Sequence, residues 1–379
     1  MENEIREAVV KFESLLRQQL ERQERMEQAA PEKDYSGMKT ITVGLIDGDG
    51  IGPIIMKQAE RVLEKLLADD IASGRVVLKK IEGLTIENRL ALGQAVPDDV
   101  LAAIKTCDVL LKGPTTTPKG GTLESANVTL RRELDLFANV RPVSVPEEGI
   151  DWIFFRENTE GEYALGSRGI ELPGKLTMDF KVTTDAGTRR IAKAAFDYAR
   201  ANGKKNVAIV TKANIMKKTD GMFSRIAHEV AAEYPEIEAD DWYIDIMTAN
   251  LVNPALRSRF QVFLLPNLYG DIITDEAAQI QGGVGTAGSA NLGGRYAMFE
   301  AIHGSAPRKI ENGEGDYANP ASILKALELL LRHIALPEKA DRLAEALRVC
   351  TETERRVVVT GHRDGATCQA FGDYLLEKL

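Results

Sequence analysis

Cysteine and histidine are scarce in this chain, at three and four among 379 residues. Cys107, Cys350 and Cys368 are widely spaced, which excludes a disulfide framework and fits a reducing compartment such as the cytoplasm. No apolar run is long enough to span a bilayer, so no membrane partner is expected. Basic excess is missing too: the net charge is -9, which argues against nucleic acid as the main partner. It leaves an anionic substrate open, because local arginines override the global sign. Residues 1–30 lack the apolar stretch of a secretory signal and are too rich in Glu for a transit peptide. Internal repeats and low-complexity tracts are absent as well.

What is present is an ordinary globular composition, 44% hydrophobic and 28% charged, over a length that favours two domains. Met1 to Ala30 has an amphipathic helical stripe of Ile5, Val9, Phe12, Leu15, Leu16 and Leu20. Such a helix is marginal alone, so it packs on its own body or on a partner subunit. Pro31 to Met38 then forms a linker. Strands are expected at Thr40–Ile46, Val76–Ile81, Asp108–Leu111, Asp151–Phe155, Asn206–Val210, Trp242–Met247 and Phe260–Leu265. Helices are expected at 53–67, Thr188–Ala201, Gly221–Tyr234, Pro320–His333 and Glu338–Cys350. This alternation implies an α/β protein with a largely parallel sheet. Asp47-Gly48-Asp49-Gly50-Ile51-Gly52-Pro53 resembles a dinucleotide fingerprint only superficially, because the glycine spacing is wrong for a Rossmann site.

The most informative stretch is Pro266-Asn267-Leu268-Tyr269-Gly270-Asp271-Ile272-Ile273-Thr274-Asp275. A helix here puts Asp271 and Asp275 one turn apart on one face. Paired carboxylates repel unless a cation lies between them, and oxygen ligands suit Mg²⁺ or Mn²⁺. Solvated acids at a helix start, with Asp271 as the N-cap, have the same spacing. Ser125, Asn127 and Arg131 lie on a helix that follows the Gly120-Gly121 turn, and Arg141 and Arg156 come soon after. Helix N-termini and arginines near one helix start suit a substrate with several carboxylates. Tyr163 is a candidate proton donor, and Lys212, after a strand, a candidate base. The glycine-dense 282–294 segment and His303-Gly304-Ser305-Ala306 let backbone approach a flat ligand closely. A core tyrosine, a solvated lysine and a structural histidine fit these patterns equally.

Together the motifs resemble one family, the metal-dependent β-decarboxylating dehydrogenases, which includes isocitrate, 3-isopropylmalate, homoisocitrate and tartrate/malate dehydrogenases. They are G-D-G-I-G-P, the K-G-P loop, S-x-N-x-x-x-R, R-E-N-T-E-G-E-Y, K-A-N-I-M-K, N-L-Y-G-D-x-x-x-D and H-G-S-A-P, in order from Thr40 to Leu379. The resemblance implies an α/β two-domain fold that is not a Rossmann fold, with an active site in the cleft that a dimer partner completes. It implies an extension over 1–38, a large cofactor-binding domain over 39–136 and 282–379, and a small central dimerisation domain over 137–281. Asp271 and Asp275 would bind Mg²⁺ or Mn²⁺, with Asp245 from the neighbouring subunit. Arg131, Arg141 and Arg156 would grip carboxylates. Tyr163, and Lys212 of the neighbour, would handle protons. NAD or NADP would lie along Thr117, Asn214, Gly285, Glu300, His303, Gly304, Ser305, Ala306 and Asn319.

Within the family, Ser125 and Asn127 favour isocitrate over isopropylmalate. An isopropyl group would leave both polar side chains unpaired, at about 1–3 kcal/mol each. Glu124 cuts the other way, since isopropylmalate enzymes carry a glutamate there, and homoisocitrate stays possible because a methylene discriminates weakly. After H-G-S-A-P, Arg308-Lys309 matches neither the usual Asp of NAD-dependent members nor the Lys-Tyr of NADP-dependent ones. Basic residues here suit a 2′-phosphate, but no matching Tyr and Arg occur near Val357 to Gly361. The cofactor stays open between NAD and NADP. A non-catalytic regulatory subunit is the competing class, though Tyr163, Lys212, Asp245, Asp271 and Asp275 are all present. A homodimer or larger homo-oligomer is expected.

Overall fold

A computed structural model describes the chain apart from Met1, residues 28–32, Lys119, Gly121, Thr122, Ser167 and the side chain of Val284. The end of the expected N-terminal helix, the start of the linker and the Gly121-Thr122 step therefore lie outside the described residues. The chain forms two compact units. One holds residues 1–31 and 137–280; the other holds 32–136 and 281–379.

Strands in chain order are β1 (Ile41–Ile46), β2 (Val76–Lys80), β3 (Val109–Lys112), β4 (Ala138–Val145), β5 (Ile150–Glu157) and β6 (Ile170–Leu172). They continue as β7 (Leu176–Met178), β8 (Asn206–Thr211), β9 (Glu238–Tyr243), β10 (Val262–Leu265), β11 (Gly288–Leu292) and β12 (Ala297–Ala301). In the unit built from both later-chain ends, the order is β2-β1-β3-β12-β11. β1, β2, β3 and β12 run parallel, and β11 is antiparallel to β12. In the central unit, the order is β4-β5-β10-β8-β9. β5, β10, β8 and β9 are parallel, and β4 is antiparallel to β5. β6 and β7 form a separate antiparallel pair.

Parallel pairing thus dominates, as the alternation of strands and helices predicts, and β4–β5 and β11–β12 are the antiparallel exceptions. The reason is connection length. Pro146–Glu148 and Gly149 alone join β4 to β5, and residues 293–296 join β11 to β12. Neither link holds the crossover that a parallel pair needs. The interior parallel strands β3 and β10 are buried at every position. Their unbroken apolar runs, Val-Leu-Leu and Val-Phe-Leu-Leu, reflect burial on both faces.

Trp242–Met247 is not a strand throughout. β9 ends at Tyr243, and Ile244–Leu251 is a helix with Asp245 in its first turn. Among the described residues β9 pairs only with β8, and its polar residues stay partly exposed, so it carries no apolar alternation to read. An acid in the first helical turn complements the helix dipole. The helix Asn267–Ile280 begins directly after Pro266, so Asp271 is interior to it and not its N-cap.

Each unit has its own core. Trp152, Phe154, Phe260 and Phe263 join Ile273 and Ala277 in the central unit. Phe154 and Phe263 stack at 4.3 Å with rings 7° apart, and Trp152 meets both edge-on. Such pairs contribute about 0.5–1.5 kcal/mol beyond area burial. In the other unit, Ile46, Leu110, Leu130, Leu136 and Met298 form a cluster. Against its sheet, helix Ala321–His333 buries Ile323, Leu324, Leu327, Leu330 and Leu331. Gly288 permits that approach: a Cβ there would lie 2.4 Å from the Ala326 backbone nitrogen. No described helix is long and apolar enough to cross a membrane.

Candidate active site

Loops at the carboxyl ends of parallel strands are where α/β sheets place ligands. Four parallel strands of the central unit end beside singled-out residues. β5 ends in Arg156-Glu157, β10 leads through Pro266 into the helix Asn267–Ile280, β8 delivers Lys212, and β9 delivers Asp245. In the other unit, β1, β3 and β12 deliver the Asp47–Pro53 loop, the Lys112-Gly113-Pro114 loop and the His303 loop.

The central unit gathers Arg141, Arg156, Tyr163, Asp271 and Asp275. Asn139 of β4 pairs in register with Arg156 of β5, and Arg141 lies two residues from Asn139, on the same face. Both arginine side chains are nearly buried. Arg156 Nη1 donates to Asp271 Oδ1 at 2.5 Å. Its Nε and Nη2 donate to Asn267 Oδ1 at 3.0 and 2.6 Å. Arg141 Nη1 donates to Asp275 Oδ1 at 3.1 Å and to Thr274 Oγ1 at 2.7 Å. The Tyr163 hydroxyl donates to Asp271 Oδ2 at 2.7 Å. The two carboxylates stay 40% and 62% exposed, open to a ligand while their guanidinium partners are fixed from beneath.

Lys212 and Asp245 form a second pair, Nζ to Oδ1 at 2.6 Å. The lysine holds the Asp245 carboxyl below its ordinary value. Beneath them Asp220, fully buried, accepts the Lys212 backbone N–H at 2.7 Å. Asn214 lies exposed just beyond.

In the other unit, Arg131 Nη2 donates to Glu300 Oε1 at 3.2 Å, and Lys112 Nζ lies 3.1 Å from Oε2. Asn291 Nδ2 also donates to Glu300, at 2.9 Å. Burial alone would raise the Glu300 carboxyl, but Lys112 and Arg131 outweigh it and hold the group at about 2. The three arginines come from different elements. Arg131 is on the helix Ala126–Glu133, whereas Arg141 and Arg156 project from β4 and β5. Ser125 is the N-cap of that helix, and Asn127 Oδ1 accepts from Thr115 Oγ1 at 3.1 Å. Glu124 is held by Arg132 through two bonds of 3.0 Å and by Thr129 at 2.9 Å.

The early glycines bring three loops together. A Cβ at Gly48 would lie 2.2 Å from the Pro114 carbonyl, and one at Gly50 2.1 Å from the Ser305 carbonyl, both at positive φ. Asp49 accepts from Ile86 N and Thr116 N, each at 2.7 Å. Ser305 Oγ lies 2.6 Å from Thr116 Oγ1. Beside it, burial holds the His303 imidazole below its usual range. Asn319 caps Ala321 N at 2.9 Å, and Gly285 lies in the 3₁₀ turn Val284–Thr286. Thr117, Gly304 and Arg308 are exposed, whereas Lys309 Nζ donates to the Gly361 carbonyl.

Sequence reasoning passed over Asn267, Asp220, Lys112 and Asn291 as site residues. Lys112 carried a signal, a lysine closing an apolar strand at a Gly-Pro step. Asn267 opens the N-L-Y-G-D motif, whereas Asp220 and Asn291 depend on tertiary neighbours and carried none.

Two groups of chemistry can be tested for fit. Arg131 Nε and His303 Nε2 are buried with no hydrogen-bond partner among the described residues, which leaves each open to a polar group of a ligand. For a cation, Asp271 and Asp275 offer hard oxygen donors one turn apart, which suit Mg²⁺ or Mn²⁺. The described residues contain no group of three or more His, Cys, Asp or Glu able to hold a metal ion. Among the described residues Asp245 is therefore not grouped with that pair.

Arginines, carboxylates and a phenol gathered on one sheet and its loops suit a polyanionic ligand and are the marks of an α/β enzyme. The chain belongs to the isocitrate/isopropylmalate dehydrogenase family, whose model matches residues 42–375. It is 38% identical over 326 residues to isocitrate dehydrogenase (NAD) subunit 2, mitochondrial, of Schizosaccharomyces pombe, covering 83% of this chain and 82% of that protein. It is 39% identical over 315 residues to isocitrate dehydrogenase (NADP) of Rickettsia felis, covering 80% of this chain and 62% of that one. The crystal structure of isocitrate dehydrogenase from Methylococcus capsulatus superposes with a TM-score of 0.79 at 36% identity, over 89% of this chain and 99% of that chain.

Proposed function

We propose that this chain converts isocitrate to 2-oxoglutarate and CO₂, reducing NAD or NADP with the help of Mg²⁺ or Mn²⁺. The observation that carries the reading is the convergence of Arg156 and Tyr163 on Asp271, one helical turn from Asp275 and its Arg141. Relatives named as NAD and NADP isocitrate dehydrogenases support it. Glu124, already engaged by Arg132 and Thr129, gives no separate support to isopropylmalate.

Arg131, Arg141 and Arg156 bind the substrate carboxylates, and their buried, pre-paired guanidiniums hold the reacting carbon in place at little entropic cost. Ser125 and Asn127 take the third carboxylate. Asp271 and Asp275, with Asp245 of a second subunit, hold the cation, which when bound lowers the pKa of the substrate hydroxyl and stabilises developing negative charge. Lys212 of that subunit accepts the hydroxyl proton, and Tyr163 returns a proton to the carbon that loses CO₂. Thr117, Asn214, Gly285, Glu300, the His303–Ala306 loop, Arg308 and Asn319 line the place of the nicotinamide cofactor, the hydride acceptor. The unit of residues 32–136 and 281–379 serves as the cofactor-binding domain and the central unit as the dimerisation domain. We place the protein in the cytoplasm, where its free, buried thiols stay reduced.

Initial rates with NAD and NADP against isocitrate, 3-isopropylmalate and homoisocitrate, with and without Mn²⁺, test the reading. Metal-dependent turnover of isocitrate is expected. Turnover of isopropylmalate instead would overturn the substrate assignment, and no turnover at all would favour a regulatory subunit.

A further inference from the structure

The helix Glu2–Glu27 lies outside the family match, yet it packs on the central unit. Its apolar stripe does little of that packing. Leu15 is buried, but Ile5, Val9, Phe12, Leu16 and Leu20 remain 45–58% exposed. Phe12 meets Phe180 at 5.4 Å, Lys11 donates to the Gly169 carbonyl, Lys175 pairs with Glu4, and Arg168 reaches Gln18. Most of these contacts are exposed, and exposed ion pairs contribute little. Arg22 differs, with a side chain only 15% exposed. Its Nη1 donates to Glu160 Oε1 at 3.1 Å, and its Nη2 donates to Thr159 Oγ1 at 2.9 Å.

Arg22 meets a costly arrangement there. Glu157 and Glu160 are 2% and 3% exposed and three residues apart. Glu157 accepts from the backbone of Thr159 and Glu160, and Glu160 accepts from Thr184 N at 2.9 Å. Burial, and then the Glu160 charge, pushes the Glu157 carboxyl up to about 7, while Arg22 and Arg190 pull it back. Buried carboxylates need cations nearby or the segment that carries them rearranges. This segment runs between Arg156 and Tyr163. The Glu160 carbonyl accepts from Asn267 Nδ2 at 3.0 Å, and Asn267 Oδ1 in turn holds Arg156. Gly161, at φ +70°, lets the loop press on Asn267, where a Cβ would come to 3.1 Å.

We propose that Arg22 is a positioning residue: from a helix outside the catalytic fold, it supplies counter-charge to the buried Glu157–Glu160 pair and so fixes the loop that presents Arg156 and Tyr163. The consequence for turnover rests on the proposed function; the consequence for the loop does not.

The test uses the full chain with Arg22→Ala, Arg22→Lys and, as a control on the same helix, Arg17→Ala, whose guanidinium pairs only locally with exposed Glu13. Amide hydrogen exchange over residues 158–163 is read first, then kcat and KM for isocitrate. Arg22→Ala is expected to speed exchange over 158–163 by about tenfold or more. Its kcat/KM falls by roughly tenfold, through kcat as well as KM, because small misplacement of reacting groups is costly. Arg22→Lys recovers part of both, and Arg17→Ala changes neither. Unchanged exchange over 158–163 in Arg22→Ala would overturn the proposal. So would faster exchange spread evenly over the central unit with kcat/KM intact, which marks a merely structural helix. If Arg22→Ala fails to fold, Arg22→Lys is read in the same way, because it keeps the charge but loses the fork that spans Glu160 and Thr159. If the wild-type chain leaves isocitrate untouched, the proposed function fails, and the exchange data still decide the role of Arg22.

Discussion

Single residues in this protein are charged groups held by other charged groups, so their replacement has a definite sign. Asp271 is the sharpest case. Its carboxylate takes Arg156 on one oxygen and Tyr163 on the other, yet it lies on a partly exposed helix face. Asp271→Asn keeps the shape, and Arg156 retains its bonds to Asn267. Metal-dependent isocitrate oxidation should disappear while the thermal melt shifts by only a few degrees; full activity in a Mn²⁺ titration would refute the metal assignment. Glu300 makes a pH prediction. Its carboxyl is held at about 2, below the ordinary 4.5, despite burial. Its ionised form therefore stabilises the fold fully above pH 4.5, and that stabilisation is lost as pH falls toward 2. Glu300→Gln also leaves Lys112 and Arg131 buried without their counter-charge, so denaturant unfolding should show about 3 kcal/mol of loss at pH 7. The gap from wild type should narrow at pH 3. An equal gap at both values would mean that Glu300 is not the titrating group.

At the scale of elements, the helix Asn267–Ile280 is set against β5 by a missing side chain. A Cβ on Gly270 would lie 2.5 Å from Arg156 Cγ and 2.7 Å from its Cβ. Those atoms are near the backbone and have no easy retreat. Gly270→Ala should cost about 1–3 kcal/mol by overpacking. It should also lower kcat/KM by roughly tenfold or more, because Arg156 is pushed off Asp271. A stability loss with unchanged kcat/KM would show that the arginine adapts. This contact was not legible in the sequence, because nothing local says which side chain a helical glycine will face. Buried parallel strands were legible, because Val-Leu-Leu and Val-Phe-Leu-Leu runs have little else to be. The Asp271–Asp275 spacing was also legible, since helical periodicity alone puts them on one face. β9 was not: an edge strand half open to solvent has no apolar pattern, and the bulkier Trp-Tyr-Ile-Asp-Ile-Met run drew the boundary too late. That Arg131 sits on a helix while Arg141 and Arg156 sit on strands was hidden for another reason. Closeness in sequence says nothing about which strand ends a sheet brings together.

At the scale of the whole molecule, what matters is how the candidate acidic ligands divide. Asp271 and Asp275 share a helix face, whereas Asp245 pairs with Lys212 at the end of β9, and the described residues include no metal-holding group of three. On the proposed function, a site that joins Asp245 and Lys212 to Asp271 draws on two copies of the chain, and a twofold dimer would supply them reciprocally. This has a measurable consequence. Lys212→Met and Asp271→Asn proteins should each be inactive as purified. Mixed under conditions that let subunits exchange, they form hybrids in which the Asp271 of one copy meets the Lys212 of the other. Each hybrid regains one of its two sites, and with random pairing about a quarter of wild-type activity should return. Recovery should rise with the exchange time and reach this level at equal concentrations of the two proteins. If mixing restores nothing while mass measurement shows hybrids present, Lys212 and Asp271 serve the same site from the same chain, and the shared-site reading fails.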